Sequence, residues 1–214
     1  MNVNPLDWID SLNEDIMHVT FELKDWLEKY MQDDTITDIG RAFGVCPSGP
    51  WLAGGAVRRC LFGIEQTSDY DFFFANEEQR NKFIEVCKEL GLVNTSETKN
   101  AVTFKGYING AERVVQAVTI QLDGTLKETL DRFDFTLTQF EFDGVLIHTK
   151  TNSIRDASSM KLVVNKITYP EASLRRIIKY SKQGYHMCGG AMRVFLTESA
   201  KALESNPPII EYVD

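Results

Sequence analysis

Between residues 6 and 31 apolar side chains recur largely in steps of three and four, at Ile9, Leu12, Ile16, Val19, Leu23, Trp26, Leu27 and Tyr30. That period predicts a long amphipathic helix beginning near Pro5, with its acids largely on the other face. Gly44 to Gly55 is rich in glycine and proline and reads as a loop entering a short strand, Trp51 to Ala53. Gly54-Gly55 then opens a helix, Ala56 to Phe62. The aromatic run Asp69 to Phe74 is strand-like. Asn76 with Gln79 has the form of a capping box, starting a helix that Gly91 stops and that turns Phe83, Val86, Cys87 and Leu90 inward.

Further on, two β-rich runs, Ala101 to Ile108 and Ala111 to Gln121, flank Asn109-Gly110, a strong hairpin signal. A short helix at Leu126 to Leu130 is expected next. Phe133 to Phe142 then reads as a strand that Asp143-Gly144 turns into Val145 to Thr149. Pro170 in a first helical turn begins a helix over Glu171 to Gln183, ended by Gly184, and a last helix covers Gly190 to Leu203. The expected architecture is α+β, a mixed sheet flanked by helices. It divides into an N-terminal helical extension (1–45), a core (46–150) and a helical C-terminal region (151–214).

Composition narrows the class. With 214 residues, 43% hydrophobic and 25% charged, the chain can bury one full core, and global disorder is excluded. No apolar run approaches the roughly 20 residues of a membrane span, and the first ten residues carry acids instead of the basic start of a secretory signal. Cys46, Cys60, Cys87 and Cys188 are scattered without a Cys-x-x-Cys pair, which fits a reduced, cytoplasmic setting. The net charge of −8 is uneven: residues 1–45 hold ten acids against three bases, whereas 151–193 holds eight bases against Asp156 and Glu171. A basic surface of that kind can be a solvated helix face, or it can hold a triphosphate or an RNA backbone.

The chemistry concentrates on Gly54-Gly55 and Asp69-x-Asp71. Alternation along a strand puts both carboxylates on one face, where they repel unless a divalent cation sits between them. Hard oxygen ligands favour Mg2+ or Mn2+, which in turn bind phosphate oxygens. Paired glycines let backbone approach a phosphate closely. The bland alternative is a surface turn that happens to carry two acids. In the predicted strand from Phe133, alternation would give Arg132, Asp134, Thr136 and Thr138 one face, and Phe133, Phe135 and Leu137 the other. His186-x-Cys188 has metal-like residue types but only two members, and no P-loop occurs.

Three segments together resemble a family. Leu52-Ala53-Gly54-Gly55-Ala56-Val57-Arg58-Arg59-Cys60-Leu61-Phe62-Gly63 followed by Asp69-Tyr70-Asp71 is similar to the head motif of the polymerase-β-like nucleotidyltransferases. Arg132 to Thr138 and Pro170 to Lys179 resemble later segments of the CCA-adding enzyme and poly(A) polymerase group, in family order. The resemblance spans about residues 50–185 and includes compact phage-type nucleotidyltransferase-like proteins. It implies a palm-like mixed sheet and a helical neck, a nucleoside triphosphate and two metal ions (Mg2+ or Mn2+) on Asp69 and Asp71. Gly54 and Gly55 would hold the β- and γ-phosphates, Arg58 would steady phosphate or the packing of helix on sheet, and Ser68 would join the nucleotide-binding set. Arg132 and Asp134 would meet the sugar, and Glu171 and Arg175 the base, with Lys179 extending the basic helix.

The departures are Gln116 where the family has a third carboxylate, Ala172 where it has the neck aspartate, and Arg59 where it has an acid. Gln116 would face the nucleotide but cannot act as a base, so either Asp134 substitutes as a catalytic carboxylate or activation of the acceptor is impaired. The implied activity is transfer of a nucleoside monophosphate from NTP to a hydroxyl on RNA, protein or a small molecule, releasing pyrophosphate. The alternative is a catalytically weak module that binds nucleotide or a protein partner.

Overall fold

Strand pairing sorts the chain into an apolar row and a polar row that lie one residue apart and face opposite ways. The computed structural model describes residues 18–22, 35–67, 69–119, 122 and 124–205. Its strands are β1 (His18–Glu22), β2 (Trp51–Ala53), β3 (Tyr70–Phe73), β4 (Val93–Glu97), β5 (Ala101–Ile108), β6 (Ala111–Val118), β7 (Phe140–Phe142) and β8 (Leu146–Lys150). They form one sheet in the order β1-β8-β7-β2-β3-β6-β5-β4, antiparallel throughout except for the β3–β6 pair. The helices are α1 (Thr35–Ala42), α2 (Gly55–Leu61), α3 (Glu77–Glu89), α4 (Leu126–Arg132), α5 (Thr151–Ser158), α6 (Pro170–Lys182) and α7 (Gly189–Ser205). The mixed α+β architecture is therefore the one expected from the sequence. No helix among the described residues is long and apolar enough to cross a membrane.

Read across the sheet, Ile147, Phe142, Leu52, Phe72, Ala117 and Val102 stand in register and are all buried. This row shares one core with Ile36 and Ile39 of α1 and Ala56 and Val57 of α2, and Phe72 lies 4.6 Å from Phe83 of α3 and 5.0 Å from Phe43 just after α1, centroid to centroid. Because side chains alternate, the neighbouring row faces the other way: His148, Glu141, Ala53, Asp71, Gln116 and Thr103. The apolar row makes the core, and Asp71 and Gln116 of the polar row lie on the floor of a cleft.

Several predicted elements differ. Residues 18–22 form edge strand β1, paired with β8, and not part of a helix; the β-branched Val19 and Thr20 suit the free edge that β8 offers. The remainder of the predicted helix over 6–31 lies outside the described residues, as do Ile120 and Gln121 at the end of the predicted second hairpin strand. Phe133 to Phe142 is not one strand. Phe135, Thr136, Leu137 and Thr138 are all buried, the chain tightens into a 3-10 turn at Thr136–Thr138, and only Phe140–Phe142 pairs in the sheet. With Asp134 through Thr138 all buried, the two-faced alternation expected of Arg132 to Thr138 does not hold. Leu90, expected inward, is 45% exposed because α3 ends beside it.

Strand β4 and helix α5 had no clear pattern. The side chains of β4 are all exposed, so pairing with β5 makes the strand, whereas α5 buries Ile154 and Ala157 among small polar residues. The capping box is half made. Asn76 accepts from the Gln79 N–H, but the Gln79 side chain accepts from Ala75 N–H and donates to the Ser48 carbonyl.

At the β7–β8 turn Asp143 accepts from the N–H groups of Val145 and Leu146 at 2.9 and 2.6 Å, and pairs with His148 Nε2 at 2.7 Å. Burial alone would raise its pKa, but these partners outweigh that and hold the carboxyl below its ordinary value. A depressed carboxylate adds stability above its unfolded pKa and loses it as pH falls through the folded one. Asp143→Ala should therefore cost about 1–2 kcal/mol at pH 7. Urea melts should show that penalty shrinking towards zero well below pH 4.

Candidate functional site

The floor of the cleft is built where β2, β3 and β6 lie side by side. Ala53 stands opposite Asp71, and Asp71 opposite Gln116. Asp69 directly precedes β3, so strand alternation brings its carboxylate to the same face as that of Asp71. Gln116 Nε2 donates to Asp69 Oδ2 at 3.1 Å. Burial, reinforced by the charge of Asp69, pushes the Asp71 carboxyl up to about 7, although Lys179 and Arg176 pull in the opposite direction. Burial and the neighbouring carboxylate together disfavour the ionised form of Asp71.

Gly54 leaves β2 with φ of 88°, a left-handed conformation that glycine adopts without strain. A Cβ there would stand 3.5 Å from the Phe133 ring and 3.8 Å from Asp71 Oδ2, inside the space next to the acid pair. Gly54→Ala should cost about 1–2 kcal/mol through backbone strain, read as a lower midpoint in urea.

Arg58, in α2, is only 1% exposed yet lines the cleft. Its guanidinium sits 4.9 Å from the Tyr185 ring centre and 5.5 Å from that of Tyr180, and Nη2 donates to Gln183 Oε1 at 3.5 Å. Nε and Nη1 have no hydrogen-bond partner among the described residues. Burial lowers the pKa of this side chain, with the two tyrosines opposing. A buried guanidinium with two idle donors is a site prepared for an anion.

The opposite wall is helix α6. Glu171, Arg175 and Lys179 recur every four residues and share one face, with Ala172, Arg176 and Tyr180 one position further on; all six line the cleft. Asp134 reaches this wall as well. Its Oδ2 accepts from Ser173 Oγ at 2.8 Å and pairs with Arg176, and its carbonyl accepts from Asn165 and Lys166 N–H at 2.7 and 3.2 Å. The carboxylate of Asp134 is thus engaged by α6.

The cleft measures about 860 Å3. It brings together Gly54, Gly55, Arg58, Asp69, Asp71, Gln116, Arg132, Asp134, Glu171, Arg175 and Lys179. Ser68 lies outside the described residues. The sequence reading did not select Lys99, Asn100, Thr129, Lys166 and Tyr169, which also line it. Lys166 falls in the basic 151–193 segment, where charge was a usable signal. Lys99 carried no signal, because it sits on the turn after the unpredicted β4. Seven basic side chains against four acidic ones make the cleft electropositive in a protein of net charge −8. Among the described residues no group of three or more His, Cys, Asp or Glu is placed to hold a metal ion; Asp69 and Asp71 are a pair.

Residues 18–160 match the model of the Gabija anti-defense 2 family. A curated relative, Gabija anti-defense 2 of Bacillus phage SPbetaL7, is 27% identical over 138 residues, covering 63% of this chain and 33% of that protein. The chain thus spans about a third of the length of the relative it matches. Among solved structures, the complex of CCA-adding enzyme with ATP superposes with a TM-score of 0.61 at 21% identity, over 89% of this chain and 48% of that one. An apo form of CCA-adding enzyme gives 0.58 at 19%, over 88% and 50%. A tRNA nucleotidyltransferase complexed with a primer tRNA and an incoming ATP analog gives 0.50 at 18%, over 81% and 52%. At these identities the likeness establishes a nucleotidyltransferase-like fold.

Proposed function

The chain belongs to the Gabija anti-defense 2 family, and from that premise and the cleft we propose that it is a metal-dependent nucleotidyltransferase. The observation that carries this reading is the acid pair of Asp69 and Asp71, with Asp71 pushed up to about 7 by burial and by its neighbour, facing an otherwise cationic cleft. The donor set fits Mg2+ or Mn2+: two hard carboxylates side by side, one of them raised by burial and by the charge of the other. When bound, such a cation supplies charge neutralisation and polarisation of phosphate oxygens.

The rest follows from the chain's own groups. Gly54 and Gly55 leave room for the β- and γ-phosphates beside β2, and Arg58 directs Nε and Nη1 to their oxygens. Arg132 meets the sugar side, and Glu171 and Arg175 flank the base. Lys179 adds positive charge from α6. Asp134 holds Arg176 in place and keeps α6 closed on the cleft. An acceptor hydroxyl, on RNA, protein or a small molecule, attacks the α-phosphorus in line. The new O–P bond forms as the bond to the β-phosphate oxygen breaks, pyrophosphate leaves, and the hydroxyl proton passes to solvent. In this reading the transfer serves to counter the Gabija defence to which the family's name refers.

A second reading rests on a specific observation: Gln116 is an amide and Asp134 is engaged by α6, so no third carboxylate is free among the residues lining the floor. In that reading the fold binds nucleotide, or a protein partner, with little turnover. Calorimetry with NTP and Mg2+, followed by a pyrophosphate-release screen over RNA, protein and small-molecule acceptors, separates the two. Release at the screened acceptor supports the transferase, and binding without release supports the module. Absence of nucleotide binding removes both.

A further inference from the structure

We propose that Gln116 is a positioning residue that holds Asp69 and limits the cleft to one divalent cation; this rests on the nucleotidyltransferase reading above. Parallel pairing sets Gln116 opposite Asp71 on the same face, while its Nε2 donates to Asp69 Oδ2 at 3.1 Å. The amide can take only this orientation, since a carboxylate offers acceptors and only the NH2 end of the amide can satisfy it. Gln116 therefore ties β6 to the segment at β3 that carries both acids, without adding negative charge.

The consequence is a charge balance. Asp69 and Asp71 carry a formal charge of −2, which one divalent cation cancels. A second cation at the same oxygens would meet the first at close range, beside an N–H donor that presents its positive end. Asp69 Oδ2 is also already engaged by the amide, which leaves it less able to bridge two ions. Glu141 stands in the same row of the sheet but is not among the residues lining the cleft. Arg58, buried and with Nε and Nη1 unpartnered, marks the anion side of the same cleft independently of the acids. The lining thus suits an anionic ligand accompanied by one cation.

The test counts ions. Mn2+ titrations of the full chain, read by electron paramagnetic resonance with and without a non-hydrolysable ATP analogue and corrected with a nucleotide-only blank, should give one ion per chain. Gln116→Glu, which adds the missing charge, should give two. Gln116→Ala should keep one ion but bind it about tenfold more weakly, because Asp69 loses the partner that orients it. Two ions on the unmodified protein, or one on a Gln116→Glu protein with native circular dichroism, overturn the role of Gln116 and leave the nucleotidyltransferase reading standing. If Gln116→Glu does not fold, an unchanged Mn2+ affinity in Gln116→Ala overturns the role. No Mn2+ binding by the unmodified protein in either condition removes the underlying reading together with this inference.

Discussion

Replacing Asp69 and Asp71 together by asparagine should lower metal-dependent nucleotidyl transfer by at least about 10^3-fold, since a cation held at the reacting phosphate supplies several kcal/mol of charge stabilisation. The protein should remain folded, because neither carboxylate belongs to the apolar row that makes the core. Stability adds a signature of its own. Asp71 binds its proton more tightly in the folded chain than in the unfolded one, with a folded value of about 7. For an acid shifted upwards, folding stability is highest below the unfolded value near 4, falls as pH rises towards 7, and is level beyond that. The loss is on the order of a few kcal/mol. In the absence of metal, Asp71→Asn should therefore melt about 5 °C or more above the unmodified protein at pH 8 and close to it at pH 4. Calorimetric scans at the two pH values in EDTA read this directly. Equal turnover in the double variant would end the transferase proposal. Equal Tm at pH 8 would show that Asp71 is not held at a cost in the folded state.

The second large effect concerns Arg58. Arg58→Met keeps an unbranched apolar stem reaching about as far as the arginine Nε, and removes two buried, unpartnered nitrogen donors together with their charge. Stacking on Tyr180 and Tyr185 is exchanged for thioether–ring contacts of comparable size. The ligand-free protein should be as stable as the parent or more so, because an uncompensated buried charge is costly. Affinity for a non-hydrolysable ATP analogue should fall about 10–100-fold, the value of one charge-assisted contact to phosphate. Titration calorimetry and a thermal melt of the same sample measure both. A melt several degrees lower with unchanged affinity would instead make Arg58 a packing residue between α2 and α6.

These variants probe two uncompensated charges in one cleft: a buried acid pair on the floor, and a buried cation with unpartnered donors at the side. A triphosphate with its metal would correct both at once. That reciprocity gives the cleft more chemical direction than either feature alone.

Alternation along a strand fixes which neighbours share a face, so the common face of Asp69 and Asp71 was legible in the sequence. Gly54-Gly55 read there as a place where backbone can near a phosphate, and the left-handed φ of Gly54 came only with the fold. The Asn109-Gly110 hairpin and the Pro170-initiated helix were legible for the same reason: their signals lie within a few residues of one another. Tertiary structure decided what depends on partners distant in sequence. Val19 and Thr20 became a strand because β8, more than 120 residues away, offers an open edge, and Thr136–Thr138 tightened into a turn because every neighbouring side chain had to be enclosed. Only folding could show that Arg58 is buried without enough partners, that Gln116 reaches Asp69, and that Asp134 is engaged by Ser173 and Arg176. Burial and hydrogen-bond pairing are properties of what surrounds a residue, and the surroundings are assembled from the whole chain.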